Sequence, residues 1–233
     1  MRGSALITVA IDGPSASGKS TVGAALAKRL GYTYFDTGVM YRAVTWAALD
    51  RGIAIPDEAA VARLSQELVI EVHPPTVDDG RQYTVLADGV DITWKIRETA
   101  VNQQVSPVSA YPGVRTALTK QQRRIGASGG VVMVGRDIGT VVLPEAQVKV
   151  YLDATVQERA RRRHREEQAN GMSTCYQQVL EILKKRDQID SGRETAPLRM
   201  AEDATYIDSS DMTVEEVVEA IEALVAPAPQ ARK

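Results

Sequence analysis

The segment that most restricts the fold is Gly13-Pro14-Ser15-Ala16-Ser17-Gly18-Lys19-Ser20, followed by Thr21. It fits the pattern G-x-x-x-x-G-K-[ST]. Ahead of it, ALITVAI at residues 5–11 is apolar and rich in β-branched side chains, the pattern of a strand buried on both faces. Behind it, residues 21–30 carry apolar side chains at helical spacing and stop at Gly31. A strand, a loop of small residues and a helix in this order form a cradle for an anion. Backbone N–H groups turn inward, small side chains let a phosphate approach them, and glycine accepts the dihedral angles required. The helix directs the positive end of its dipole at the same point. Lys19 has the length to reach the β and γ phosphates of a nucleoside triphosphate, and Ser20 offers a hydroxyl to Mg²⁺. Gly13, Pro14, Ser15, Ala16, Ser17, Gly18, Lys19, Ser20 and Thr21 are therefore the expected ATP-binding residues. A glycine-containing strand-to-helix turn with no ligand is the alternative, and the flanking strand and helix weigh against it.

The 233 residues, 44% of them apolar, suffice for a sizeable core in one unit or two small ones. Further short strands are predicted at YTYF (32–35), VVMV (131–134), VKVYL (148–152) and ATYID (204–208). Helices are predicted at 41–51, stopped by Gly52, and at 213–225. Strands alternating with helices predict an α/β fold, a three-layer P-loop architecture with a parallel sheet and helices on both faces. Between residues 68 and 94 the pattern changes. LVIEVH, RQYTVLADGVDIT and the turn signals DDG and ADG predict a small antiparallel insertion. The closing APAPQARK predicts a flexible tail over 227–233, and no internal repeat is present.

A formal net charge of −2 argues against a globally basic nucleic-acid binder. One cysteine, Cys175, allows no internal disulfide, and with only two histidines beside it a soft-ligand zinc site is not expected. The opening MRGSALITVAID lacks the length and cleavage pattern of a secretory leader, and no stretch reaches transmembrane length, so a cytoplasmic location is expected. A switch GTPase would carry N-K-x-D and a D-x-x-G after its second strand; neither is found. A transporter or helicase ATPase is usually larger. Moving a γ-phosphoryl group between two anions needs cations that converge from several segments, and the guanidinium fork matches phosphate oxygens. Arginine recurs in short, distinctive settings: Arg42 in DTGVMYR, Arg115 in YPGVRTAL, Arg136 in GRDIGT, and Arg186 with Arg193 in KRDQIDSGR.

The stretches IDGPSASGKST, DTGVMYRAV, SPVSAYPGVR, GRDIGTVVLPEA, VKVYLDA and RDQIDSGRETAPL together resemble the bacterial cytidylate kinases, P-loop nucleoside monophosphate kinases that phosphorylate CMP and dCMP. The resemblance runs from near the start to Asp208. D-[ST]-G-x-x-Y-R combined with G-R-D-[IM]-G-T carries it, since the phosphate loop alone marks only the superfamily. It implies a single kinase domain with a core at about 1–36, 106–156 and 171–226, an acceptor-nucleotide-binding insertion at about 37–105 and a helical lid at about 157–170. It implies that Thr37, Tyr41 and Arg42 bind the acceptor, with Arg42 on its phosphate. Ser106, Arg115 and Asp137 match residues that read the cytosine edge. Arg136 and Arg193 match arginines on the acceptor phosphate, and Arg186 and Asp190 a pair near the pentose, Asp190 on a ribose hydroxyl. The residue types suit the task. A carboxylate accepts from the cytosine amino group, while an arginine and a hydroxyl donate to its ring nitrogen and carbonyl. Other roles compete. Asp137 could cap a turn, Asp190 could pair with Arg193 or Arg186 along a helix end, Tyr41 could be core, and Ser106, before Pro107, could end a helix.

QERARRRHREEQANG sets Arg159, Arg161, Arg162, Arg163 and Arg165 against Glu158, Glu166 and Glu167. Pairs such as Glu158 with Arg162 and Arg163 with Glu167 predict a solvated helix, each contributing about 0.2–0.5 kcal/mol. The arginine surplus, with Gly171 beyond it, points to a lid that closes on the donor phosphates, and Arg159 and Arg163 are the expected donor contacts. Lys19, Arg42, Arg136, Arg193, Arg159 and Arg163 thus form the expected catalytic set, with Ser20 on the metal. The implied reaction is in-line transfer from ATP, with Mg²⁺, to CMP or dCMP, giving ADP and CDP or dCDP. A kinase for UMP or AMP, or a nucleotide-dependent RNA-binding module, are the alternatives. A single phenylalanine and scattered tyrosines disfavour the latter. A monomer without stable nucleic-acid or membrane partners is expected. One position departs from the family pattern: an acidic residue commonly precedes Gly-Arg-Asp, where it would order the Mg²⁺ hydration shell, and here it is Val134.

Overall fold

The structure is a computed structural model and describes residues 6–169 and 171–225. The tail expected at 227–233 lies outside the described residues, as do Ala5 at the head of the expected first strand and Asn170 at the end of the expected lid. The chain divides into two compact units. One takes the residues up to Phe35, Gly126–Ser191 and those from Ala196 onward; the other takes Asp36–Ile125 and Gly192–Thr195.

The first unit is built on a five-stranded sheet of β1 (Thr8–Asp12), β2 (Thr33–Asp36), β6 (Val131–Gly135), β7 (Val148–Asp153) and β8 (Thr205–Asp208). Their spatial order is β2-β6-β1-β7-β8, and the pairs β6-β1, β1-β7 and β7-β8 are parallel. All five strands fall where the apolar runs predicted them. β1 is central because each of its residues is buried, and Ile11 lies in register with Val134 on one side and Val150 on the other. Along β7 burial alternates: Val148, Val150 and Leu152 are buried, while Lys149, Tyr151 and Asp153 are half-buried. The buried set joins Val9, Ile11, Val132 and Val134 under α1 (Lys19–Leu30) and α8 (Val214–Val225). Burying each such side chain contributes about 1.5–3 kcal/mol.

The helix ends follow local chemistry. α1 stops where Gly31 takes φ +68°, so that the Gly31 and Tyr32 N–H groups reach back to the carbonyls of Lys28 and Ala27. α8 starts at a capping box: Thr213 Oγ1 accepts from the Glu216 N–H, and the Glu216 carboxylate accepts from the Thr213 N–H at 2.8 Å. The remaining helices of this unit, α6 (Val156–Ala169) and α7 (Tyr176–Gly192), pack through Ala160, Val179, Leu180 and Leu183. Among the described residues no helix is long and apolar enough to cross a membrane.

The second unit holds the predicted antiparallel piece, with β3 (Ile70–His73), β4 (Thr84–Ala87) and β5 (Val90–Asp91) in that order. Asp88 and Gly89 both have positive φ, 48° and 78°, so the ADG signal is a tight hairpin turn of the type that matches strand twist. Arg81 lies between Asp79 and Asp91 and pins the loop before β4; the Thr93 hydroxyl first, and Arg81 after it, hold the Asp91 carboxyl down at about 2. Around this sheet lie α2 (Gly38–Asp50), α3 (Glu58–Glu67), a single 3₁₀ turn (Lys95–Arg97), α4 (Thr99–Ala110) and α5 (Pro112–Gly126). α2 begins three residues before its predicted start because Asp36 Oδ1 accepts from the Gly38 N–H at 2.9 Å. α4 runs through Pro107 to Ala110, so Ser106 does not end a helix.

Candidate active site

The phosphate loop leaves β1 at Asp12 and enters α1 at Lys19. Gly13 has φ +149°, and a Cβ there would lie 2.0 Å from the Leu152 carbonyl oxygen. Ala16 and Gly18 also have positive φ, 62° and 95°. These signs turn successive N–H groups to one side of the loop. The first turn of α1 carries no acidic residue, so its positive dipole end faces an anion unopposed. Lys19 is buried, and its ammonium donates to the Pro14 carbonyl and, at 3.2 Å, to Ser17 Oγ. Ser17 is fully buried; its carbonyl accepts from Ser209 Oγ at 3.2 Å, which ties the loop to the segment after β8. Ser20 and Thr21 are exposed on the first turn of α1.

On the same unit, the G-R-D motif follows β6. Arg136 donates to Asp190 on α7 at 2.8 Å, and Asp190 is buried. Arg136 reaches Asp190 from 54 residues away, a partner that lies outside the chain segment of Arg186 and Arg193. Asp137 is buried before a single wide helical turn, Ile138–Val142, to which its side chain makes no capping bond. Arg186 is half-buried one turn from Asp190 on α7.

α6 makes both predicted i,i+4 pairs, Arg162–Glu158 at 3.3 Å and Arg163–Glu167 at 2.8 Å. Arg159 is buried. It donates to the Ala154 and Ser15 carbonyls and forks onto the Asp187 carboxylate at 3.1 and 2.6 Å. Its guanidinium therefore joins α6 to α7 and to the phosphate loop. Arg162 comes to the mouth of the loop: a Cβ on Gly18 would lie 3.8 Å from its Nη1, and it also donates to Ser209 Oγ at 3.1 Å. Arg163 is paired with Glu166 and Glu167.

The second unit carries the other expected residues. Arg42, on α2, donates to the Ile96 carbonyl at 3.0 Å and to Asn102 Oδ1 at 2.6 Å. Thr37, buried, precedes that helix. Tyr41 is buried, and the Arg115 guanidinium lies over its ring, 5.3 Å from the centroid. Arg115 and Arg193 are both buried and both donate to the Ser109 carbonyl, at 2.9 and 3.4 Å. The Ser109 hydroxyl in turn donates to the Ser106 carbonyl at 2.9 Å. The fold thus gathers Tyr41, Ser106, Arg115 and Arg193 about one turn of α4.

Four further residues have no role assigned by the sequence: Asn102 and Arg162, outside the stretches that carry the resemblance, and Asp12 and Ser109, within IDGPSASGKST and SPVSAYPGVR. Asp12 was legible as a charge closing an apolar strand. Arg162 read as half of a surface pair. Ser109 acts through its backbone carbonyl, which side-chain patterns cannot signal. Val134, at 1% exposure, lies in register with Ile11 and packs against α1, where a Cβ on Gly23 would come 2.6 Å from its Cγ1. It is core and offers no ligand to a cation. Among the described residues no group of three or more acidic, histidine or cysteine side chains could hold a metal.

The cytidylate kinase family model matches residues 9–226. The chain is 52% identical over 224 residues to a cytidylate kinase of Herpetosiphon aurantiacus, covering 96% of each chain. It is 54% identical over 184 residues to one from Chloroflexus aggregans, covering 79% of this chain and 80% of that one. A third, from Geobacillus kaustophilus, is 49% identical over 219 residues, covering 94% and 96%. With the phosphate loop formed between β1 and α1, and both diagnostic arginine motifs folded beside polar partners, the chain belongs to the cytidylate kinase family.

Proposed function

We propose that this protein transfers the γ-phosphoryl group of ATP to CMP or dCMP, giving ADP and CDP or dCDP. The family match across residues 9–226 carries the reading. In it, residues 13–21 bind the triphosphate, with Lys19 leaving its loop partners for the β and γ phosphates. The acceptor phosphate oxygen attacks the γ-phosphorus in line, and no covalent enzyme intermediate is required. Arg42, Arg136 and Arg193 neutralise the acceptor phosphate and the charge that develops. Arg186 and Asp190 serve the pentose, with Asp190 oriented by Arg136. Thr37 and Tyr41 line the acceptor stretch, and Ser106, Arg115 and Asp137 read the base. Burial of Arg115 and Asp137 supports the last assignment, because a desolvated polar group left unpaired by uracil penalises the wrong acceptor. The lid arginines Arg159 and Arg163 complete the donor side, and the approach of Arg162 to Gly18 adds it to them. The test is a coupled ADP-release assay with CMP, UMP and AMP in parallel. CMP is expected to exceed UMP by roughly 10²-fold in kcat/KM, and Asp137→Asn to narrow that ratio. UMP preferred over CMP contradicts the base-reading set. The alternatives of an RNA-binding module or another acceptor are disfavoured by the family match.

Mg²⁺ would arrive on the nucleotide, held mainly by phosphate oxygens, with the exposed Ser20 hydroxyl as the protein ligand. When bound it neutralises charge on the β and γ phosphates. The core position of Val134 supports a metal shell completed by water. Val134→Asp is close to isosteric and sets a carboxylate beside α1. It is expected to lower the Mg²⁺ concentration for half-maximal rate severalfold, while destabilising the fold because the new carboxylate is buried. Rate measured against free Mg²⁺ checks the first effect and thermal melting the second. Coincident Mg²⁺ curves for the two proteins contradict the water-completed shell.

A further inference from the structure

Asp12 closes β1 immediately before the phosphate loop and is 4% exposed. Its two carboxylate oxygens accept separate hydrogen bonds. Oδ1 takes the Ile138 N–H at 2.7 Å and Oδ2 takes the Gly139 N–H at 2.7 Å. Both donors belong to the turn that directly follows Arg136 and Asp137. The approach is tight, since a Cβ on Gly139 would lie 3.4 Å from Asp12 Oδ2 and 3.2 Å from Lys149 Cδ. A carboxylate in so dry a place is expensive. An amide or hydroxyl would satisfy one N–H without that cost. Only an ionised carboxylate offers an acceptor to both at once.

We propose that Asp12 is a positioning residue: its ionised, two-pronged hold on Ile138 and Gly139 fixes the Arg136–Asp137 turn in register with the phosphate loop, and acceptor binding weakens when that hold is lost. The inference rests on the acceptor roles of Arg136 and Asp137 proposed above. Burial pushes the Asp12 carboxyl up to about 6, against the lowering effect of its two N–H partners. The charged and titratable groups facing it are Asp137 from the turn, which raises it further, Lys19 from α1, which lowers it, and Tyr151, its register partner on β7. Lys149, whose methylenes cover Gly139, is paired with Asp203 at 2.7 Å. The hold is therefore complete near pH 8 and loses one acceptor as pH falls through about 6.

Asp12→Asn tests this, because the amide meets one of the two N–H donors with a donor of its own. At pH 8 the variant is expected to raise KM for CMP about 10-fold or more, with KM for ATP changed by less than about 3-fold. The ratio of wild-type to variant kcat/KM for CMP should shrink toward unity between pH 8 and pH 5. Titration of the CMP phosphate is common to both proteins and cancels in that ratio. A purely structural role would lower the active fraction at every pH alike, so a ratio independent of pH overturns the proposal. Should Asp12→Asn fail to fold, Asp12→Glu keeps both oxygens, displaced by one methylene. It is expected to raise KM for CMP while retaining an acid limb between pH 5 and 8; an unchanged KM overturns the proposal. Arg136→Ala separates the layers. If it leaves KM for CMP unchanged, the acceptor reading fails and this inference with it. If it raises KM for CMP and the Asp12 variants do not, this inference alone fails.

Discussion

Lys19→Ala is expected to reduce kcat by about 10²–10³-fold, the range observed when a single preorganised donor to a developing anion is removed. Lys19 is buried at the start of α1, and its ammonium is already within the loop, bonded to the Pro14 carbonyl and Ser17 Oγ. These two oxygens are neutral acceptors that a phosphate can replace, and the charge need only turn from them to the nucleotide. Electrostatic stabilisation of this kind requires little reorganisation at the moment of transfer. Because the lysine contributes chiefly where charge accumulates, KM for CMP should change far less than kcat. Steady-state kinetics with circular dichroism as a folding control provide the check. A folded variant that retains more than about a tenth of kcat would show that the loop binds nucleotide without taking part in transfer.

Gly13→Ala is expected to be the most damaging change of a single methyl group in the first unit. The residue has φ +149°, which L side chains rarely adopt, and the added Cβ would meet a backbone oxygen, Leu152 O, at 2.0 Å. A backbone atom of a central strand cannot move as the end of a flexible side chain can, so the loop itself must shift. The cost should be about 3–4 kcal/mol, near the top of the range for point mutations. For a chain of this size that lowers Tm by roughly 10 °C. Displacement of the loop N–H groups should also weaken ATP binding at least about 10-fold. Gly31→Ala is the control. Its φ is also positive, at 68°, but nothing lies within 4 Å of the new Cβ, so it should cost only about 1–2 kcal/mol and leave kinetics unchanged. Equal effects of the two substitutions on nucleotide affinity would contradict a loop held against β7.

What could be read in advance was whatever depends on near neighbours in the chain. The five strands of the sheet, α1 and its glycine stop, the ADG hairpin and the two i,i+4 ion pairs of α6 all follow from side-chain period and spacing. α3 was not assigned, although Asp57 Oδ1 accepts from the Ala60 N–H at 3.0 Å in an ordinary cap, because its stripe of small residues gives a weak period. α4 was obscured by Pro107, which local rules assign to a helix end. The site shows the same division. The phosphate loop is contiguous, so its residue types alone reveal it. The partners of its neighbours are not contiguous: Asp190 meets Arg136 across 54 residues, and Asp12 meets Gly139 across 127. Arg159 illustrates the difference within one helix, where four sequence neighbours are arginines and only the fold selects which is buried against Asp187.

The amino-acid sequence by itself determined that a triphosphate cradle sits between the first strand and the first helix, and that arginines stand in motifs suited to a second phosphate ester. Backbone dihedral preference and side-chain period are local properties, and they are written residue by residue. Tertiary structure alone decided which charges are neutralised internally, which are buried beside a backbone carbonyl, and why position 134 is valine in a packed core. Those outcomes depend on desolvation and on distances between segments that only the closed sheet brings together.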